Sequence, residues 1–239
     1  MSIQYNESPM QIDQGELQST FAAAMARVYL WMFLGLLLTT ATALFTVSFT
    51  PLLSLIISTP LILIGLIVVE IGLVIAISGL INRISPMVAL ALFFVYAAIN
   101  GLTLSVIFLA YSLGSIFLTF GVCAALFGFM SVIGFTTKQD LTGWGKILLI
   151  GLVGIIIASI ANFFFASTIL EMVISYIGVA IFLGLTVYDT QRIKNMTAAG
   201  LARGDSLVVN RVGIMGALKL YLDFINLFLF MLRILGRRR

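Results

Sequence analysis

The sequence predicts an all-α polytopic membrane protein, and three observations lead to this fold class. Of the 239 residues, 62% are hydrophobic and 9% are charged, and the mean hydropathy is +1.20. A soluble domain carries about 25% charged residues, which is far more polar surface than this chain offers. The apolar residues also gather into runs of about 20, the length that a helix needs to cross a bilayer. We therefore expect a membrane-embedded bundle whose main partner is the lipid bilayer.

Seven apolar runs follow one another along the chain, and each is predicted to form a transmembrane helix. They lie at residues 28–50, 61–81, 87–110, 115–136, 147–166, 171–189 and 212–235. The connections between the first six runs are short, whereas residues 190–211 are predicted to form one long connection. No Pro-rich or Ser-rich linker divides the chain. We expect a polar cytoplasmic N-terminal tail at residues 1–27, followed by a single membrane domain at residues 28–239.

Basic residues predict the orientation of this domain. The formal net charge is +4, and Lys and Arg gather in connections on one side: Arg27, Arg83, Lys138, Lys146 and the 190–211 connection. The connections on the other side carry no Lys or Arg. Such charges fix topology and contact anionic headgroups, so nucleic acid is not an expected partner. The positive-inside rule then places the N-terminus and the basic connections in the cytoplasm.

The seventh run allows two topologies. A full span would place Arg237, Arg238 and Arg239 outside the cell, against the positive-inside rule, whereas a re-entrant segment would return them to the cytoplasm. The stretch from Gly216 to Leu235 has 20 residues, which is enough to cross the bilayer. We favour a full span.

Two aspartates in apolar surroundings are the main candidates for a functional site. Asp189 lies at the end of the sixth run and Asp223 lies inside the seventh. Ionisable residues are costly in hydrocarbon, so those that occur usually mark ion or proton paths. If the seventh helix enters the membrane near Leu218, with Lys219 extending to the headgroups, both carboxylates lie at a similar depth in the cytoplasmic half. We then expect them within hydrogen-bond reach of each other.

A close pair of carboxylates has a definite chemistry. Two such groups in a low dielectric cannot both ionise cheaply, so Asp189 and Asp223 are expected to share a proton and to titrate as a unit. An ionised member also attracts a hard cation such as Ca²⁺, which takes oxygen ligands. The pair is therefore a candidate pH sensor and a candidate calcium site. The alternative is that each aspartate hydrogen-bonds elsewhere and only orders the helices.

Other polar residues in the apolar runs are candidates for lining a pathway. Glu70 lies in the middle of the second run and is expected to face the bundle, with pathway-lining and structural roles both open. Asn226 lies near Asp223 in the seventh run, where interhelical hydrogen bonding is the plainer role. Arg83, in the second cytoplasmic connection, is placed to reach the layer of the aspartates. The chain has no His, which removes His-dependent catalysis and His metal ligands, and no cofactor is predicted.

Four segments together resemble the transmembrane Bax inhibitor motif (Bax inhibitor-1) family. They are residues 101–105 (GLTLS), 134–141 (GFTTKQDL), 184–191 (GLTVYDTQ) and 220–228 (LYLDFINLF). The resemblance is to the bacterial inner-membrane branch and covers nearly everything after the N-terminal tail. It implies seven transmembrane helices, six of them packed around a central C-terminal helix, and a pH-regulated calcium leak in the inner (plasma) membrane.

The resemblance also implies residue roles. A hydrogen-bonded aspartate pair senses pH in the family, at positions that match Asp189 and Asp223. An arginine at the start of the third helix engages that pair in some members, and Arg83 holds the similar place, although its neighbours Asn82 and Ile84 differ from the basic cluster of those members.

Two alternative functions belong to other classes. Some bacterial relatives modulate an AAA-type membrane protease, and the polar N-terminal tail would suit a regulatory partner of such a protease. An intramembrane aspartyl protease would carry a Gly-x-Gly pattern before its second aspartate. Here Leu220, Tyr221 and Leu222 precede Asp223, so the sequence does not predict an enzyme.

Overall fold

The structure, a computed structural model, describes residues 14–237 and contains nine α-helices in that range. They are α1 (Gln14–Ser48), α2 (Thr50–Ser58), α3 (Pro60–Leu80), α4 (Pro86–Leu104), α5 (Ile107–Ala110), α6 (Leu113–Thr136), α7 (Thr142–Phe165), α8 (Thr168–Ala202) and α9 (Ser206–Leu235). Seven segments are long and apolar enough to cross a membrane, with α4 and α5 forming one of them. The all-α polytopic fold class is thereby confirmed. Residues 1–13 of the predicted tail lie outside the described residues, and the remainder of that tail belongs to α1.

The predicted long connection at residues 190–211 is wrong, because α8 continues to Ala202 and only residues 203–205 join it to α9. Hydropathy marks apolar stretches rather than helices, and this polar stretch is rich in residues with good helix propensity. Its buried residues Ile193, Thr197 and Gly200 recur at helical spacing. At 35 residues, α8 is about 50 Å long, against a hydrocarbon core of about 30 Å. Residues 50–58, predicted as part of a connection, form the short helix α2.

The C-terminal helix α9 lies at the centre of the bundle, as the family resemblance implied. Its most apolar window is 67% buried, against 6% for α3 and 11% for α7. Helices α1, α4, α6 and α8 pack directly against α9, whereas α3 packs against α4 and α7 packs against α8. The central helix therefore has an inner shell of four helices, with α3 and α7 on the outside.

Helix α9 crosses the full bundle. It begins at the end that carries the 81–85, 137–141 and 203–205 connections, which we call the basic end. At its other end, the Arg237 N–H donates to Ser115 Oγ at 3.1 Å, and the Ser112 N–H donates to the Arg237 carbonyl at 3.3 Å. Ser112 and Ser115 lie at the start of α6, opposite the basic end. The helix is unbroken between these points, so the structure agrees with a full span rather than a re-entrant segment.

Close helix approaches depend on glycines in two of the family-like segments. A Cβ atom at Gly101 of α4 would lie 2.5 Å from the Thr39 carbonyl oxygen of α1. A Cβ atom at Gly134 of α6 would lie 2.5 Å from the Val187 carbonyl oxygen of α8. Both obstacles are backbone atoms of a packed helix, which cannot move aside as a flexible side chain could. Small residues at such points let membrane helices approach closely.

We expect Gly134→Ala to destabilise the protein by about 1–3 kcal/mol, because the added methyl group forces α6 away from α8. Gly128 is the matched control, since it lies on the same helix and a Cβ atom there would meet nothing within 4 Å. Thermal unfolding in detergent should therefore show a lower midpoint for Gly134→Ala than for Gly128→Ala. Equal midpoints would contradict the close approach of the two helices.

Candidate functional site

The part of α8 that carries Asp189 is joined to the 137–141 connection by contacts between two of the family-like segments. The side chain of Gln191, two residues further along α8, accepts from the Leu141 N–H at 3.0 Å and donates to the Gln139 carbonyl at 2.7 Å. This amide ties the 137–141 connection to α8. Beside it, Asp140 Oδ1 accepts from the backbone N–H and the hydroxyl of Thr142, and these hydrogen bonds lower the pKa of the exposed Asp140 carboxyl. Together these contacts fix where α7 starts and how α8 is placed beside it.

Asp189 forms an ion pair with Lys219 of the central helix. The Nζ atom of Lys219 lies 3.0 Å from Oδ1 of Asp189, and the two side chains are 35% and 8% exposed. The expectation that Lys219 extends to the headgroups is therefore not met, because its ammonium turns toward a carboxylate on the adjacent helix. A charge-assisted hydrogen bond of this kind is roughly twice as strong as one between neutral groups.

Asp223 lies beside this ion pair and is itself buried. Its Oδ2 atom has no hydrogen-bond partner among the described residues. Asp189 and Lys219 both act on its charge electrostatically, and Lys219 lies four residues before it on the same face of α9. Asp189, Asp223 and Lys219 all line one cavity. The three groups thus form a cluster of two carboxyls and one ammonium, and the hydrogen bond expected between the two carboxyls stays a prediction.

The cluster lies on the wall of a cavity of about 900 Å³ between α7, α8 and α9. This cavity extends along α7 from Thr142 to Ile160 and is mostly apolar on that side. Its other polar lining residues include Lys146, Ser159, Tyr188, Arg192 and Asn226. Asn226 also donates from Nδ2 to the Leu222 carbonyl at 2.8 Å, so its amide lies over its own helix. The structure therefore places Asn226 in the same cavity as both aspartates.

A smaller cavity of about 280 Å³ lies at the basic end, between α8, α9 and the 81–82 turn. It shares Asp189, Arg192 and Lys219 with the larger cavity. The Asp189–Lys219 ion pair therefore lies where the two cavities meet.

Arg83 lies in the exposed turn between α3 and α4. Within residues 14–237 it forms no ion pair or hydrogen bond with Asp189 or Asp223, and the only cation paired with either aspartate there is Lys219. The neighbouring Asn82 carbonyl instead accepts from Nη2 of Arg211 at 3.1 Å. The gating role predicted for Arg83 stays a prediction, and Lys219, which contacts Asp189, is the alternative cation for that role.

Glu70 is not part of the aspartate cluster. Its carboxylate accepts from Thr103 Oγ1 at 2.6 Å and from Asn100 Nδ2 at 3.3 Å, both on α4. The structure confirms that Glu70 faces the bundle but places it outside the lining of the two cavities described above.

The fold and the site define a multi-pass α-helical membrane protein with a charged cluster against its central helix. The sequence model of the family described as "Inhibitor of apoptosis-promoting Bax1" matches residues 22–239, and the chain belongs to this Bax inhibitor-1 family.

Several bacterial proteins are similar over nearly their whole length. The chain is 47% identical over 215 residues to the protein named inner membrane protein YbhL of Escherichia coli strain K12, covering 90% of this chain and 92% of the relative. An uncharacterized protein of Borreliella burgdorferi is also 47% identical over 215 residues, with the same two coverages. The uncharacterized protein RP147 of Rickettsia prowazekii is 40% identical over 217 residues, covering 90% of this chain and 89% of the relative.

Proposed function

We propose that the protein is a pH-sensitive calcium leak pathway of the inner membrane, with its N-terminus in the cytoplasm. The observation that carries this proposal is the position of the Asp189–Lys219 ion pair where the two cavities meet. An ion that moves between the cavities has to pass this pair. The pair thus acts as a gate, and its strength sets how often the passage is open.

The charge of the cluster supplies the pH sensitivity. When Asp223 holds a proton, the negative charge of Asp189 is balanced by Lys219 and the cluster is neutral. When Asp223 loses that proton, the cluster carries a net charge of about −1 in surroundings of low dielectric, where electrostatic attraction is strong. A cation then competes with Lys219 for the two carboxylates. Leak is therefore expected to increase as pH rises through the titration of Asp223.

Calcium suits this cluster as a passing ion rather than as a tightly held one. Ca²⁺ prefers carboxylate oxygens but takes six to eight oxygen ligands in a stable site. Asp189 and Asp223 supply carboxylates from two helices, and no group of three or more metal-ligating acidic, Cys or His side chains occurs among the described residues. Weak binding lets an ion leave as readily as it enters, which conduction requires.

The alternative, a regulatory partner of an AAA-type membrane protease, depends on the N-terminal tail. Residues 1–13 of that tail lie outside the described residues. The leak pathway is therefore the function that the described contacts support best.

Calcium entry into proteoliposomes tests the proposal. The purified protein is reconstituted into vesicles that hold a calcium indicator, Ca²⁺ is added outside, and entry is measured over a series of pH values. We expect entry above that of protein-free vesicles, with a rate that increases with pH. Entry equal to that of protein-free vesicles at every pH would refute the leak function.

A further inference from the structure

A second polar cluster crosses the bundle on the other side of the central helix. Tyr221 precedes Asp223 by two residues and is fully buried, with its hydroxyl 3.1 Å from Asn100 Oδ1 on α4 and 2.6 Å from Thr39 Oγ1 on α1. Asn100 in turn donates to Glu70 on α3 at 3.3 Å. One chain of hydrogen bonds thus joins Glu70, Asn100, Tyr221 and Thr39, which lie on four different helices.

The protons available to this chain allow two arrangements. Tyr221 and Thr39 each have one hydroxyl proton, and the amide of Asn100 has a donor end and an acceptor end. When Glu70 is ionised, every donor points toward it: Thr39 donates to Tyr221, Tyr221 to Asn100 Oδ1, and Asn100 Nδ2 to Glu70. The observed geometry fits this direction, because both carboxylate oxygens of Glu70 accept a hydrogen bond.

The opposite direction keeps every contact in the chain. A protonated Glu70 donates to the amide oxygen of Asn100 after a half-turn of that amide, the amide nitrogen donates to Tyr221, and Tyr221 donates to Thr39. The hydroxyl of Thr39 then donates to the Ala97 carbonyl, which lies 2.8 Å away. The chain therefore ends on a backbone acceptor that is already in place.

We propose that Glu70 is a second protonation site of the protein, and that the hydrogen-bond chain through Asn100, Tyr221 and Thr39 reverses its direction when Glu70 binds a proton. The proton comes from water and binds one carboxylate oxygen, and no other bond is formed or broken. Through this reversal, the donor and acceptor roles of the hydroxyl groups on the central helix and on α1 depend on whether Glu70 on α3 holds a proton.

Two tyrosines are titratable neighbours of the Glu70 carboxyl. Among the described residues, Tyr96 of α4 and Tyr221 of α9 interact with it electrostatically. The rings of these two tyrosines pack edge to face, with centroids 5.7 Å apart. The proposal is independent of the calcium pathway, because neither cavity at the aspartate cluster is lined by Glu70.

Infrared difference spectroscopy between acidic and alkaline pH tests this proposal on the full-length protein in lipid vesicles. We expect a protonated carboxyl band that Glu70→Gln removes and that Asp189→Asn/Asp223→Asn retains. A tyrosine ring band should change with the same pH midpoint, because Tyr221 exchanges its donor and acceptor roles. Both Glu70→Gln and Tyr221→Phe should remove that tyrosine band.

Two control variants keep the result specific. Glu171→Gln, which changes a carboxyl in the first turn of α8, and Tyr176→Phe, which changes a tyrosine that is 57% exposed, should leave both bands unchanged. If Glu70→Gln disturbs folding, Tyr221→Phe still tests the chain, because it should lose the tyrosine band and keep the carboxyl band. Because Asp223 contributes a carboxyl band of its own, Glu70→Gln is also measured in the Asp189→Asn/Asp223→Asn background. A carboxyl band that survives there in the folded protein, or a tyrosine band that survives in Tyr221→Phe, would overturn the proposal.

Discussion

Lys219→Met is expected to increase calcium entry at constant pH on the order of tenfold. In the proposed leak pathway, the bond between Lys219 Nζ and Asp189 Oδ1, at 3.0 Å, is the gate at the point where the two cavities meet. Hydrogen bonds to charged groups contribute about 1.5–3 kcal/mol, and 1.4 kcal/mol corresponds to a factor of ten. Methionine keeps the unbranched shape of lysine without its charge or its donors. The measurement is the initial rate of Ca²⁺ entry into proteoliposomes at equal protein content.

Two variants separate this gate from a general effect of charge. Lys219→Arg keeps a cation and donors at the same position and should stay close to the wild-type rate. Arg83→Ala removes a cation that has no ion pair with either aspartate in the described structure, so its rate should also stay close to wild type. Increased entry in Arg83→Ala together with an unchanged rate in Lys219→Met would reverse the assignment and return the gating role to Arg83.

The second large effect is expected from Asp223→Asn, which should remove the pH dependence of calcium entry. Asparagine has the shape of the carboxyl but cannot titrate, so the cluster stays neutral at every pH. Entry should remain at the low, acid-side level of the wild type over the whole pH series. A wild-type pH profile in this variant would show that Asp223 is not the sensor.

Asp189→Asn should also alter the pH profile, but through a different route. It removes the carboxylate that Lys219 binds, and Asp223, four residues from Lys219 on the same face of α9, is the next acceptor. The effects of the two variants should therefore be far from additive, because residues that share one cluster couple strongly. Additive effects on the rate of Ca²⁺ entry would place the two aspartates in separate sites.

The spans of this fold follow from the sequence because hydropathy directly reports which segments prefer hydrocarbon. Each of the seven predicted runs overlaps one candidate membrane span. The helical extension of α8 to Ala202 was missed for the same reason, since a polar stretch beyond the bilayer gives no hydropathy signal. The helix-favouring residues of this stretch, such as Lys194, Met196 and Leu201, are the signal that predicts such an extension.

The sequence predicts only part of the arrangement around the Asp189–Lys219 ion pair. The spacing of Lys219 and Asp223 already places both on one face of a helix. What the spacing cannot show is that this face is turned toward Asp189 of α8, because that depends on the rotation of two helices that are apolar around most of their circumference. The headgroup role expected for Lys219 has the same cause, because the rotation of the helix is not visible in the sequence. It also depends on a predicted start of the seventh helix near residue 212, whereas α9 begins at Ser206.

The hydrogen-bond chain that starts at Glu70 could not be predicted from the sequence. Its members Thr39, Asn100 and Tyr221 are single polar residues in three separate apolar segments. Each has a plain structural role when considered alone. Only the packing of α1, α3 and α4 around the central helix brings them into one chain.

The calcium pathway is tested most directly by the pH series of Ca²⁺ entry in wild-type protein and in Asp189→Asn/Asp223→Asn, reconstituted at equal density. Both proteins should show the same thermal unfolding midpoint in detergent, so that a change in entry reports the cluster rather than the fold. We predict that wild-type entry increases with pH, and that entry in the double variant does not respond to pH. The same increase with pH in both proteins would contradict a gate built from Asp189, Asp223 and Lys219.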